Sequence, residues 1–270
     1  MSQEEFSSRN APASNRQLII LLGIFATLII TLIVVPLVLV DIFIGKLPVS
    51  VEQQLGRLVV PVYQQMAKPS DTQTTLNQLL DQLETQLPLD SSQNRDYQIF
   101  YIPQDTVNAV AIPGDRILIF QGLLEEVESE NELMMILGHE LGHFAHRDHL
   151  RGIGRGLVLQ AVLSMILPNV GSLESAALAV SNAQFSQSQE RRADEFGLTL
   201  LNAHYGQVAG ATDFFERLSR ERQMDFAFLN THPSSKDRVE SLQELIQGRN
   251  YETGTRLPLP ESLQNPAHLK

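Results

Sequence analysis

"HELGHFAHRDH", residues 139–149, holds four of the seven histidines in a chain of 270 residues. On a helix turning about 100° per residue, His139, His143 and His146 fall within about 60° of one another, and His149 lies about 80° from His139. Glu140 singles out the first pair. H-E-x-x-H places two imidazoles one turn apart on one helix face, with a carboxylate beside them in reach of a metal-bound water. His139 and His143 are therefore read as metal ligands and Glu140 as the general base of a metal-assisted hydrolysis.

The chain has no cysteine, so any metal must be held by nitrogen and oxygen donors. Zinc, one ion per chain, suits such a set. A catalytic zinc usually takes three protein ligands and keeps a fourth position for water, so a third ligand is needed. His149 occupies the last position of H-E-x-x-H-x-x-G-x-x-H, but that pattern needs a glycine where His146 stands. His146 favours a continuing helix, and His149 would then lie about 9 Å further along the axis than His143 and face away. The better candidate is Glu190 in "QERRADEFG" (189–197). Asp194, one turn later on the same face, would accept the free N–H of a zinc-bound histidine and fix its tautomer. Taken alone, the stretch reads as a solvated charged face; H-E-x-x-H upstream changes that reading.

Around this centre the composition sets limits. A content of 43% apolar residues supports a real core, and a net charge of -11 with a pI near 5.1 argues against a nucleic-acid-binding surface. Leu18 to Val40, "LIILLGIFATLIITLIVVPLVLV", carries no charge and is long enough to cross roughly 30 Å of hydrocarbon. The run exceeds the apolar stretch of a cleaved signal peptide and no A-x-A site follows it, so it reads as an uncleaved anchor. The flanking basic residues, Arg9 and Arg16 against Lys46 and Arg57, do not choose an orientation. An N-terminus in the cytoplasm and an extracytoplasmic catalytic domain is the expectation for a lone anchor followed by one domain.

The remaining pattern gives an organisation: a disordered stub over 1–16, the transmembrane anchor over 17–44 and a helical pre-domain segment over 47–92. A metallopeptidase domain follows over 93–248, and an extended proline-bearing tail over 249–270. Leu76, Leu79, Leu80, Leu83 and Leu87 form one helical stripe, read as packing against the domain that follows. Between Tyr97 and Phe120 the period changes to β, with a Pro113-Gly114-Asp115 turn signal, predicting a hairpin from a small antiparallel sheet. Beyond Glu130 the chain reads as mainly helical. Leu157 to Val170 is apolar but too short to cross a membrane, and reads as a buried or lid-like helix.

"GHELGHFAHRDH", "QERRADEFG", "THPSSKDRVESL" and "VNAVAIPGDRILIFQGLL" together resemble the membrane-associated zinc metallopeptidases that include HtpX-type heat-shock proteases and the CAAX prenyl proteases. The resemblance runs in order from Tyr97 to Leu245. It implies an α+β, mainly α, zincin-like domain with the active-site helix under a small sheet, and hydrolysis of peptide bonds in polypeptide substrates. It also implies that His232 stabilises the oxyanion, with a turn histidine or a cap on the zinc in a resting state as the alternatives. Arg238 is expected to tie the loop to acidic neighbours. The strand that carries Asn108 and Ala109 is the expected acceptor of a substrate strand. Two departures stand out: this chain shows one convincing span where HtpX-type members have several, and Pro-Gly-Asp replaces the usual Pro-Gly-Gly turn. His146 and His149 are expected at the surface or just behind the ligands near the helix end, where charged imidazole suits the dipole. His204 and His268 receive no role. A membrane-anchored zinc endopeptidase of envelope protein quality control is the reading, with a non-catalytic zinc-binding chaperone of the same fold as its rival.

Overall fold

Helix α1 spans Asn15–Ile44, starting in a capping box made by Ser14 and Gln17. In this computed structural model, which describes residues 14–89, 94–166, 185–220, 227–233 and 236–264, none of the α1 residues is buried. Its most apolar window has a mean hydropathy of 3.2. The helix is long and apolar enough to cross a membrane. The stub up to residue 13 and the tail from residue 265, with His268, lie outside the described residues.

Helices α2 (Val49–Gln64) and α3 (Asp71–Glu84) follow. The leucine stripe of α3 does what its spacing predicts, since Leu76, Leu79, Leu80 and Leu83 are buried in the main core with β1 and the active-site helix. The sheet comprises β1 (Gln98–Ile102), β2 (Ala109–Ile112) and β3 (Arg116–Phe120) in the order β1-β3-β2. β2 and β3 form the expected antiparallel hairpin, turning through Gly114 at φ 92° and Asp115 at φ 60°. β1 pairs with β3 in parallel, so the sheet is mixed. All four residues of β2 are buried, and both faces of the sheet are covered, one by the main core and the other by Val59, Val60 and Tyr63 of α2.

After the short α4 (Gln121–Glu126), the helices α5 (Glu130–Ala145), α6 (Asp148–Ile166), α7 (Gln187–Tyr205), α8 (Asp213–Arg220), α9 (Ala227–Thr231), α10 (Lys236–Gly248) and α11 (Glu261–Gln264) complete the described chain. The segment before α11 is extended, as expected, and is pinned rather than loose: the Leu257 amide donates to Asn131 Oδ1, and Leu259 and Leu263 enter the core. α6 is not buried under the domain. It runs antiparallel along the end of α1, with Gly154 against Val40 and Ile44 and with Leu157 and Leu159 exposed. The part of the Leu157–Val170 stretch beyond residue 166 lies outside the described residues.

Candidate active site

α5 is set by its sequence to be a central helix. Ser129 caps it by accepting from the Glu132 amide, and every residue from Asn131 to Phe144 is buried. Two histidines and a glutamate on a wholly buried helix are costly unless they find partners. α7, opened by a capping box of Ser186 and Gln189, supplies two of them, Glu190 and Asp194. The two helices cross on small residues: a Cβ on Gly138 would stand 2.9 Å from Gly197 Cα, and one on Gly142 would stand 2.8 Å from Ala193 Cα. This near-backbone contact brings Glu190, on the first turn of α7, up to the histidines.

The convergence is close. His139 Nε2 and His143 Nε2 are 3.1 Å apart, Glu190 Oε1 lies 3.4 Å from His143 Nε2, and Glu190 Oε2 lies 3.7 Å from His139 Nε2. His232 Nδ1 stands 3.2 Å from His139 Nε2 and 3.1 Å from Glu190 Oε1. On the far side of each ring, His139 Nδ1 meets Asp194 Oδ1 at 2.8 Å and His143 Nδ1 meets Asp148 Oδ2 at 3.2 Å. A carboxylate only accepts, so each Nδ1 carries the hydrogen, and the neutral rings then turn two Nε2 lone pairs toward one point shared with an anionic oxygen. Such a set needs a cation. Donor separations of 3.1 to 3.7 Å match the edges of a tetrahedron with bonds of about 2.0–2.1 Å, so His139, His143, Glu190 and His232 fit a metal ion.

Charge around the cluster keeps the ligands in form. Burial pushes the Glu190 carboxyl up, but His232 and Arg238 outweigh it and hold the group well below its usual range. Asp194 is likewise held down, by Arg238 and His139 against burial. Arg238 binds Asp194 with two bonds, Nε to Oδ2 at 2.8 Å and Nη2 to Oδ1 at 2.6 Å, and its Nη1 faces Glu190 Oε2 at 2.5 Å. Burial pulls the His143 imidazole down, yet Asp148 and Glu190 outweigh it and raise it to about 9. Glu140 is the opposite case. Both its oxygens are buried without a hydrogen-bond partner among the described residues, and burial pushes its carboxyl up. His232 Nε2, also unpartnered, is 3.6 Å from Glu140 Oε1. A buried carboxylate with no close hydrogen bond, near His232 and beside a set of donors that fits a metal, is a group placed to exchange protons.

Comparison with known proteins agrees with this geometry. The profile of peptidase family M48 matches residues 70–246. The chain belongs to peptidase family M48. This M48 chain is 31% identical over 153 residues to the mitochondrial metalloendopeptidase OMA1 of Arabidopsis thaliana, covering 55% of this chain and 31% of OMA1. It is 31% identical over 153 residues to the metalloprotease LoiP of Escherichia coli, covering 53% of this chain and 60% of LoiP. It is 25% identical over 202 residues to a putative β-barrel assembly-enhancing protease of Vibrio cholerae, covering 68% of this chain and 41% of that protein. The chain therefore spans about a third to three-fifths of the length of these relatives.

Within this M48 domain the predicted site residues fall into two groups. His139, Glu140, His143, Glu190, Asp194 and His232 come together, and Arg238 ties the His232 loop to Glu190 and Asp194. Asn108 and Ala109 lie apart from the donor set, buried where β2 begins, with Asn108 Oδ1 accepting from the Ala109 amide. The Phe228 amide donates to Val107 O at 2.9 Å, so the α9 segment that leads to His232 also covers the start of that strand.

Two local expectations need correcting. The helix does not run through His146: α5 ends at Ala145, Arg147 takes a left-handed φ of 56° and α6 restarts at Asp148. His146 donates from Nδ1 to the Gly142 carbonyl at 2.8 Å and so caps the helix end. His149 is not at the surface. Its ring is buried, with Nε2 2.8 Å from Glu52 Oε1 on α2, and it cannot reach the metal position because it faces this other network. Glu52 also pairs with Arg95 at 2.7 Å, which in turn holds Asp115 of the hairpin turn. Three site residues went unread in the sequence: Asp148 behind His143, Phe185 stacked on the His143 ring at 3.9 Å, and Gln189, which donates to Asp148 at 2.8 Å. Asp148 had a legible signal, because each ligating imidazole needs an acceptor for its other nitrogen and only one had been assigned.

Proposed function

We propose that this M48 chain is a membrane-anchored zinc endopeptidase that hydrolyses misfolded or damaged polypeptides in envelope quality control. The observation that carries the reading is the convergence of His139, His143 and Glu190 beside the buried carboxylate of Glu140. Two imidazoles and a carboxylate are a donor set that zinc accepts in catalytic sites. Zinc held there supplies Lewis acidity, acidifying water and polarising a carbonyl. Glu140 takes the proton of the attacking water on its carboxylate and returns it to the leaving amine. Asp194 and Asp148 hold the His139 and His143 rings by their Nδ1 hydrogens. His232 turns Nε2 toward the reacting carbonyl as an oxyanion donor.

A second reading of His232 has its own support. With Nδ1 among the donors, it fills the fourth position, and the same segment covers the start of β2. In this resting arrangement the ring must leave the cluster before substrate adds to the strand edge at Asn108 and Ala109. Strand addition reads the backbone and tolerates many side chains, which suits unfolded substrates. The relative named for β-barrel assembly supports an envelope setting. α1 is the single anchor, the domain after it lies on the extracytoplasmic side, and the boundaries 17–44, 47–92 and 93–248 describe the organisation. The test is casein cleavage by the full chain in detergent before and after zinc chelation. Cleavage that stops on chelation and returns with stoichiometric zinc supports the reading; cleavage indifferent to both contradicts it.

A further inference from the structure

Where the first turns of α6 run back along the end of α1, arginines surround a cavity of about 570 Å³. Arg151 and Arg155 come from α6, Arg147 from the bend before it and Arg192 from α7. Asp41 and Asp148 are the carboxylates they meet, and three of the four guanidinium groups, those of Arg151, Arg155 and Arg192, share them. Arg155 Nη2 holds both oxygens of Asp41, at 2.8 and 3.0 Å. Arg147 donates to the carbonyls of Ile44 and Leu47 at the end of α1. Arg151 and Arg192 reach Asp148 Oδ1 only at 3.5 Å, longer than the about 2.7–2.9 Å of a strong charge-assisted bond. Their side chains are 22% and 44% exposed and both line the cavity, but Arg151 Nη1 also donates to the His146 carbonyl, so Arg192 is the more open of the two to a further anion. The first turn of α7, with Ser186 and Ser188, closes the rim.

The height of this cavity is set by the sequence. Asp41 is the first charged residue after the apolar run Leu18–Val40. α6 heads back along that run, and its exposed apolar residues, Leu157 and Leu159, begin just past Arg155. The guanidinium groups thus stand where hydrocarbon gives way to headgroups.

We propose that this cavity binds the phosphate of an anionic phospholipid headgroup. Planar guanidinium forks match phosphate oxygens, and a basic pocket flanking a membrane helix is a headgroup site by charge and by depth. The inference rests on α1 being the membrane anchor and goes beyond proteolysis. It also touches the catalytic centre, because Asp148 faces Arg151, Arg192 and Gln189 with Oδ1 and His143 with Oδ2. A headgroup bound to these arginines is linked to His143 through two side chains, an arginine and Asp148.

The experiment is thermal unfolding of the full chain in non-ionic detergent, titrated with dioctanoyl phosphatidylglycerol, dioctanoyl phosphatidylcholine or inorganic phosphate at matched concentrations. Phosphatidylglycerol is expected to raise Tm saturably, and the other two to leave it unmoved. Arg151→Gln raises the half-saturating concentration roughly fivefold. Ser188→Asp keeps every native ion pair and favours the N-terminus of α7, yet adds a negative charge at the cavity rim, and should weaken binding likewise. Arg57→Gln, outside the cavity, should change nothing. An equal rise with phosphatidylcholine, or both cavity variants binding as wild type, overturns the site. An equal response to inorganic phosphate overturns the lipid assignment in favour of a soluble anion. Alkaline carbonate extraction of membranes carrying the chain reads the anchor alone, so its failure is seen separately.

Discussion

His143 Nδ1 lies 3.2 Å from Asp148 Oδ2 across the break between α5 and α6. The bend at Arg147, which the continuing-helix reading did not anticipate, brings a carboxylate behind a ligand. Asp148→Asn is expected to weaken zinc binding by about 10- to 100-fold while leaving the far-ultraviolet circular dichroism unchanged. Competition with a chromophoric chelator measures it, and wild-type affinity in the variant would remove Asp148 from the site.

The α5–α7 crossing makes a second expectation. Gly197 faces the His139 amide so closely that a Cβ there would stand 2.8 Å from His139 N. Gly197→Val must push the helices apart, which carries a stability penalty of about 1–3 kcal/mol. It also draws Glu190 away from the histidines. A lower Tm together with loss of bound zinc is the expected pair of results; an unchanged zinc content would show that the crossing does not set the ligand distance.

Glu84 supplies the pH dependence. Burial first, and then Asp81, Asp96 and Asp115, push its carboxyl up from 4.5 to about 7. The folded form therefore binds this proton more tightly than the unfolded chain. Its contribution is present below pH 4.5 and fades as pH rises through about 7. Glu84→Gln should raise stability by roughly 1 kcal/mol at about pH 8.5, the gain being limited by solvent screening of a half-buried group, and do little at about pH 4. Chemical denaturation at the two pH values checks it; a gain at acid pH instead would reverse the sign.

His232 separates its two readings by direction. As an oxyanion donor, its replacement by alanine lowers kcat on the order of 100-fold with zinc content unchanged. That is the expected result for casein cleavage. A faster variant would make the closed fourth position its principal role.

The legible and illegible parts of this molecule divide by sequence distance. The long apolar helix α1, the α3 leucine stripe and the β2–β3 hairpin are local patterns, and each stands where its period puts it. Glu190 and Asp194 were readable across a gap because zinc chemistry demands a third ligand and an acceptor. What periodicity does not carry is contact between distant segments. The parallel pairing of β1 with β3, the seat of His149 against Glu52 and the antiparallel run of α6 along α1 depend on tertiary placement. Gly138 with Gly142 and Ala193 with Gly197 are small residues four apart that received no reading in the sequence, and the helix crossing explains them.

The account rests most directly on Glu140. Casein cleavage should be measured for the full chain, wild type beside Glu140→Gln, with zinc determined on both. The account predicts one zinc per chain in each and a fall in cleavage of about 10²- to 10⁴-fold in the variant. Wild-type cleavage by the zinc-loaded variant, or a zinc-loaded wild type that leaves unfolded casein intact, would contradict it.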